Sequence, residues 1–387
     1  MASKQFRFDT RSIHAGEGPD PSTGAHGVPI YQNTTYAFRS FDQLEAWRQG
    51  RAPHFLYARE GNPTVRCFEL KMADLEGSEA AVAGATGMAV IAATLLEVMC
   101  AGGQLIASTD LYEVTNNLIC QDLGNLGVRV TSVDTADLDA VKAAAGPETK
   151  AIFVETLSNP RVKVADIEAL ADLAHRYEAL LIVDNTFLSP AILRPLEVGA
   201  DLVIHSATKY LAGHGQAMGG VVAGKQAKIA SIAQRISRLG GALSPFAAWL
   251  LLAGVKTLPL RMERHSSTAQ RIAELLLAHP AVEAVNFPGL PGSSGHNIAE
   301  QVTGGRYGGL LSFTLKGGEP AVRAFVNALE LATIAVSLGE CTTLVWPYPD
   351  GLIRLGVGLE DPEDVAEDVA RGLAAASALP SHENDIK

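Results

Sequence analysis

Short β-branched apolar runs alternate with helical stretches from Asn62 onward, and this alternation constrains the fold more than any other feature of the chain. Helical patterns cover Thr64–Leu75 and Met88–Glu97. The apolar runs are Gln104–Ala107, Val128–Thr131, Ala151–Val154, Leu180–Val183 and Leu202–Ile204. Runs of this length between helices predict repeated β-α units around a mostly parallel sheet. Ligands of such sheets gather beyond the carboxyl ends of the strands. Glu155, Asp184 and the stretch His205–Lys209 each follow one of these runs directly, so three polar clusters are expected on one rim.

The flanks read differently. Residues 1–60 form an expected N-terminal arm rich in turn formers, such as Gly16-Glu17-Gly18-Pro19, with little core of its own. Its aromatic residues, Tyr31, Tyr36, Phe38, Phe55 and Tyr57, suggest packing on another surface, such as a second subunit. Residues 61–254 then make the large domain. After Ser244-Pro245-Phe246 a helical tract runs through Trp249, Leu260 and Arg264 to Ala278, and residues 255–387 read as a smaller α+β domain with strands at Leu310–Thr314 and Leu352–Leu355 and a helix over Pro362–Ala376. The end, Ser381–Lys387, is polar. A chain of 387 residues exceeds the size at which single cores split.

Composition excludes several classes. Apolar residues are 47% and charged residues 19%, a folded balance. The net charge of -11 and the lack of a basic patch argue against nucleic-acid binding. No apolar window reaches the roughly 20 residues of a membrane span, and Met1–Thr10 lacks a signal-peptide core, so a cytoplasmic location is expected. The cysteines at 67, 100, 120 and 341 are far apart, which suggests buried reduced thiols rather than a zinc site or disulfides. No histidine spacing indicates a metal.

A lysine is ordinarily a solvated surface residue. Lys209 stands instead between the hydroxyls of Ser206 and Thr208 and a glycine-rich stretch, Gly213 to Gly220, a setting suited to a phosphate. A lysine with its pKa lowered by burial can form a Schiff base. Asp184, after the preceding strand, caps a turn in the bland reading. Beside such a lysine it also matches the carboxylate that pyridoxal phosphate needs at its pyridine nitrogen.

At these residues the chain resembles the pyridoxal-phosphate enzymes of cysteine and methionine metabolism, among them methionine and cystathionine gamma-lyases, cystathionine gamma-synthases and sulfhydrylases. The likeness runs through Tyr57–Thr64, Thr86-Gly87-Met88, Asp110-Leu111-Tyr112, Glu155–Pro160, Val183–Thr186, Ser206–Tyr210, Lys256-Thr257-Leu258, Ser337-Leu338-Gly339 and Ile353–Glu360. It implies a fold type I transferase. By the resemblance, pyridoxal 5'-phosphate is the cofactor, Lys209 its Schiff-base partner and the catalytic base, and Asp184 the partner of the pyridinium. Tyr112 stacks on the ring and assists proton transfer; Asn159 lies by the phenolic oxygen and Thr186 near the ring. Gly87, Met88, Ser206 and Thr208 cradle the phosphate, which suits amides at a helix start. Tyr57 and Arg59 reach the phosphate of a neighbouring subunit, implying a homodimer with shared sites, usually paired into a tetramer. Arg354, with Ser337 beside it, binds the α-carboxylate of an amino-acid substrate.

The resemblance implies γ-elimination on a γ-substituted L-amino acid or, alternatively, γ-replacement. The stretch His205–Gly215 and Leu243-Ser244-Pro245 resemble the methionine gamma-lyases most. Departures stand at Glu113-Val114, where relatives have Gly-Cys or Gly-Gly, and at Gln216, where they have aspartate. Only residues 345–352 join Leu344 to Ile353, where relatives carry a longer loop over the substrate side. Two readings of that segment stand: a neutral loop deletion, or a pocket reshaped by Trp346 and Tyr348 for a leaving group such as a thiol, an activated oxygen, a hydroxyguanidine or a halide.

Overall fold

In the computed structural model, which describes residues 6–379, the apolar runs become neighbouring strands. The polar end, Ser381–Lys387, lies outside the described residues. The strands of the large sheet are β1 (Ala80–Gly84), β2 (Gln104–Ser108), β3 (Arg129–Val133), β4 (Thr149–Glu155), β5 (Leu180–Asp184), β6 (Leu202–Ser206) and β7 (Gly220–Gly224). Their order across the sheet is β1-β7-β6-β5-β4-β2-β3. Pairing is parallel from β3 to β6, and β7 alone runs against its neighbours.

Alternate residues of each central strand feed opposite faces. Leu105, Ala107, Phe153 and Ile182 join one core, while Ile106, Ile152, Val154, Leu181 and Val183 join the other. A strand buried on both sides reads as a continuous apolar run, which is why these strands stand out in the sequence. β1 and β7 do not stand out, since their sequences, AAVAG and GVVAG, are built of small residues. The reason is close approach. A Cβ at Gly220 would lie 2.3 Å from the Thr86 carbonyl oxygen, so only glycine lets the start of the helix Gly87–Val98 settle on β7.

A second sheet comprises β8 (Val282–Asn286), β9 (Leu310–Leu315), β10 (Thr333–Ile334), β11 (Leu344–Pro347) and β12 (Leu352–Gly356), ordered β10-β11-β12-β9-β8. One large apolar cluster ties it to the first, uniting Val203 and Val221 with Phe313, Phe325 and Ile353.

Several local expectations are corrected. The tract from Trp249 to Ala278 is two helices, Pro245–Val255 and Leu258–Ala278, with Pro259 in the first turn of the second, where its missing N–H costs nothing. The segment 345–352 is not a loop but most of a tight hairpin. Val345 is buried and pairs with Leu355, Trp346 pairs with Arg354, and only the turn beginning at Tyr348 separates the strands. The arm is not wholly irregular either. It holds helices Phe8–His14 and Phe41–Arg48, and its start is fastened to the large domain by the buried Lys71, whose ammonium donates to the carbonyls of Ser12 (2.7 Å) and Ile13 (3.0 Å) and pairs with Glu17 (3.1 Å). Cys100 and Cys120 are exposed rather than buried, and all four cysteines are free. No helix among the described residues is long and apolar enough to cross a membrane.

Candidate active site

Parallel pairing puts the ends of β4, β5 and β6 on one edge, and the polar residues at those ends meet there. Glu155 and Asp184 are register partners on β4 and β5, two carboxyl groups side by side. Thr186 donates to one Asp184 oxygen through both its amide (3.0 Å) and its hydroxyl (2.5 Å), and its hydroxyl oxygen accepts from the Ser206 amide (2.8 Å). Burial raises the Asp184 pKa, opposed by those two donors and by His205. Glu155 is raised much further, by burial first and then by the Asp184 charge. One Glu155 oxygen accepts from the Tyr112 amide (2.8 Å), and the other is buried without a partner.

Lys209 lies in the turn after β6. Its ammonium donates to the Ser337 hydroxyl at 2.8 Å, and its pKa is lowered by burial and by the nearby Arg354, against a smaller pull from Glu340. Ser337 holds a backbone φ of 88°. A non-glycine residue in that region is strained, and such strain persists where surrounding contacts fix it. Here its carbonyl accepts from Arg354 (3.2 Å) while its hydroxyl meets Lys209. The remaining Arg354 donors reach the Asn159 amide oxygen (3.1 Å) and the Tyr348 hydroxyl (3.2 Å). Arg354 is thus a buried cation whose partners among the described residues are neutral oxygens, a setting that suits an anion.

The anion cradle forms at the start of the helix Gly87–Val98. Thr86 caps it by accepting from Ala89 (3.0 Å), and the amides of Gly87 and Met88, at its first two positions, have no intrahelical acceptor. A Cβ at Gly87 would lie 2.9 Å from that of Ser206, so the glycine brings the helix start against the end of β6. The Thr208 hydroxyl, nearby in sequence, exchanges hydrogen bonds with the backbone of Gly219.

The structure therefore brings together Lys209, Ser337, Arg354 and Asn159 through one set of contacts, and Asp184, Thr186, Ser206 and Gly87 through another. Tyr112 joins through Glu155, and the Thr115 hydroxyl links its helix to the Met88 sulfur at 3.6 Å. Tyr57 and Arg59 are not joined to either set. Both are exposed, Arg59 sits 5.5 Å over the Tyr57 ring and 3.9 Å from Glu60.

Sequence reasoning missed the positions that hold this edge in place. The buried Arg261 donates to the carbonyls of Tyr210 (2.6 Å) and Gly254 (2.6 Å), tying the Lys209 turn to the second domain's first helix. Nothing in its surroundings in the sequence marks it. His205 and Glu76, both fully buried, pair at 2.5 Å beneath the same turn. Glu155 was legible as a strand-end acid, but its pairing with Asp184 needed the register. Among the described residues no group of three or more potential metal ligands converges.

A half-buried lysine, a carboxylate pair, a buried arginine held by neutral oxygens and a glycine-made anion cradle fit a phosphorylated aldehyde cofactor that binds an amino acid. The comparisons agree. The family model for Cys/Met metabolism PLP-dependent enzymes, PLP being pyridoxal 5'-phosphate, matches residues 9–349. An L-methionine gamma-lyase of Pseudomonas putida is 40% identical, with 96% of this chain and 98% of that one covered. An O-succinylhomoserine sulfhydrylase of Pseudomonas aeruginosa is also 40% identical, with 95% of each covered. The crystal structure of cystathionine gamma-lyase from Lactobacillus plantarum, complexed with L-serine, superposes with a TM-score of 0.89 at 37% identity, covering 96% of this chain and all of that one. The chain belongs to the Cys/Met metabolism PLP-dependent enzymes.

Proposed function

We propose that this chain catalyses γ-elimination on a γ-substituted L-amino acid, in which one water is consumed and an oxo acid, ammonia and the protonated γ-leaving group are released. The observation that carries the reading is Lys209: a half-buried amine with a lowered pKa, 2.8 Å from Ser337 and close to Arg354. A lysine in that state is a nucleophile and, once freed, a base. When bound, the cofactor supplies the electron sink that makes the α-proton of an amino acid acidic. Asp184, whose ionised form the two Thr186 donors favour against burial, would hold a proton at the pyridine nitrogen. Gly87, Met88, Ser206 and Thr208 hold the phosphate, Asn159 the phenolic oxygen, and Tyr112 the ring face. Arg354 and Ser337 orient the α-carboxylate, which sets the α-proton toward Lys209. From there Lys209, with Tyr112, moves protons at the α- and β-carbons.

In this reading residues 61–254 bind the cofactor and residues 255–387 the substrate carboxylate, and the enzyme works in the cytoplasm. Tyr57 and Arg59 serve the phosphate of a neighbouring subunit, which makes a homodimer with shared sites, paired into a tetramer. Their exposure and distance from their own chain's cluster support this. Replacement by a thiol nucleophile is the second reading, favoured by the sulfhydrylase relative at equal identity.

Borohydride reduction of the holoenzyme followed by peptide mapping tests the assignment. A reduced pyridoxyl group on the Lys209 peptide is expected. Its appearance on another lysine would overturn the site.

A further inference from the structure

The hairpin between β11 and β12 places one more group on Arg354. Trp346 and Arg354 are register partners, so their side chains share a face of the sheet, and Tyr348 follows at the turn. That turn is closed by the Tyr348 amide donating to the Leu352 carbonyl (2.7 Å) and by Gly351 donating back to Tyr348 (3.0 Å), with Gly351 at φ 85°. It is also tied across the site. Asp350 pairs with Arg161 at 2.8 Å, two residues from Asn159. The half-buried Tyr348 is thereby held with its oxygen 3.2 Å from the Arg354 nitrogen that also donates to Asn159, and with its ring 5.9 Å from the guanidinium carbon.

A phenol that accepts from a guanidinium through its oxygen keeps its own proton to give. We propose that Tyr348 donates that proton to the substrate's α-carboxylate, so that the acid is held by Arg354 and Tyr348 together. This rests on the amino-acid reading above and adds a residue to it. Burial and the anions of Asp350 and Glu113 keep the phenol protonated, against the opposing effect of Arg354. The groups facing the hydroxyl are then a cation and, when substrate is present, its carboxylate.

The test uses the holoenzyme and 4-(methylthio)butanoate, which has the carboxylate and side chain of an amino acid but no amine to react. Its dissociation constant is measured by calorimetry for the wild type, Tyr348→Phe and Tyr348→Ala, with the corresponding primary amide as control. Loss of a hydrogen bond to a charged group predicts affinity for the acid about tenfold weaker, or more, in Tyr348→Phe. Affinity for the amide stays level, and the visible cofactor spectrum is unchanged. Equal or tighter binding of the acid in Tyr348→Phe overturns the proposal and shows that the tyrosine merely occupies Arg354 until substrate arrives. Failure of the two readings is separable. If the acid binds equally to both proteins while γ-elimination persists, Tyr348 loses its role and the function stands. If the acid weakens but no γ-substituted amino acid is cleaved, the function falls and Tyr348 keeps its role.

Discussion

Replacing Glu155 by glutamine should leave the protein intact, although it deletes a buried carboxylate. Glu155 and Asp184 are paired across β4 and β5. At the interstrand spacing of roughly 5 Å, and with an effective dielectric of about 20, two such charges repel by about 3 kcal/mol. That is enough to raise one carboxyl's pKa well above its ordinary value. Thr186 puts two donors on one Asp184 oxygen, and burial with the Asp184 charge raises Glu155 the further of the two, so Glu155 is the one that keeps its proton. Glutamine reproduces a neutral carboxyl in shape, and its oxygen still accepts from Tyr112. Alanine leaves that amide unpaired at about 1–3 kcal/mol. The sign with pH follows. A raised folded pKa means the native state binds the extra proton, so wild-type stability falls as pH rises from the ordinary carboxyl range through the raised value. Glu155→Gln lacks that loss. Urea unfolding of the holoenzymes at equal protein concentration should give Glu155→Gln a midpoint at or above wild type at pH 8, with Glu155→Ala clearly below. Equal losses for glutamine and alanine would refute the shared-charge argument.

Three other changes probe other parts of the account. Gly87→Ala puts a Cβ 2.9 Å from that of Ser206; it should cost about 1–3 kcal/mol and weaken cofactor binding, read by calorimetric titration of the apoprotein. His265 is buried, its Nδ1 lies 2.7 Å from the Val357 carbonyl oxygen, and its pKa is lowered to about 4, chiefly by burial. The unfolded chain therefore takes a proton the native state refuses, and stability should drop by up to about 3 kcal/mol as pH falls from 6.5 toward 4. His265→Asn should flatten that dependence in urea unfolding across the same range. For the shared sites, mixing Arg59→Ala subunits with Lys209→Ala subunits should restore roughly a quarter of wild-type activity, since half of randomly formed dimers carry one intact site. No recovery on mixing would place Arg59 in its own chain's site.

Legibility in the sequence tracked what each element had to do. The central strands were readable because burial on both faces demands unbroken apolar runs, and the residues ending them could be placed on one rim. β1 and β7 hid because the same rim needs backbone-to-backbone contact at Thr86 and Gly220, and residues small enough for that carry no strand signal. Lys209, Asp184 and Arg354 were legible from their neighbours. The structure contributed what lies far apart in the chain: Ser337 between Lys209 and Arg354, the carboxyl pair, and Arg261 beneath the lysine turn. The segment 345–352 stood out for its length, but only the register with β12 shows a hairpin with Tyr348 on Arg354.

The central claim is elimination at the γ-carbon with Lys209 as the acting amine. Its most direct test is incubation of the purified holoenzyme with a panel of γ-substituted L-amino acids bearing thiol, acyloxy, hydroxyguanidine and halide leaving groups, with oxo acid and ammonia measured together. The account predicts equal amounts of both from at least one member without any added thiol, and none from Lys209→Ala. Oxo acid and ammonia absent throughout, with turnover only when a thiol is supplied, would contradict it and make the chain a replacement enzyme.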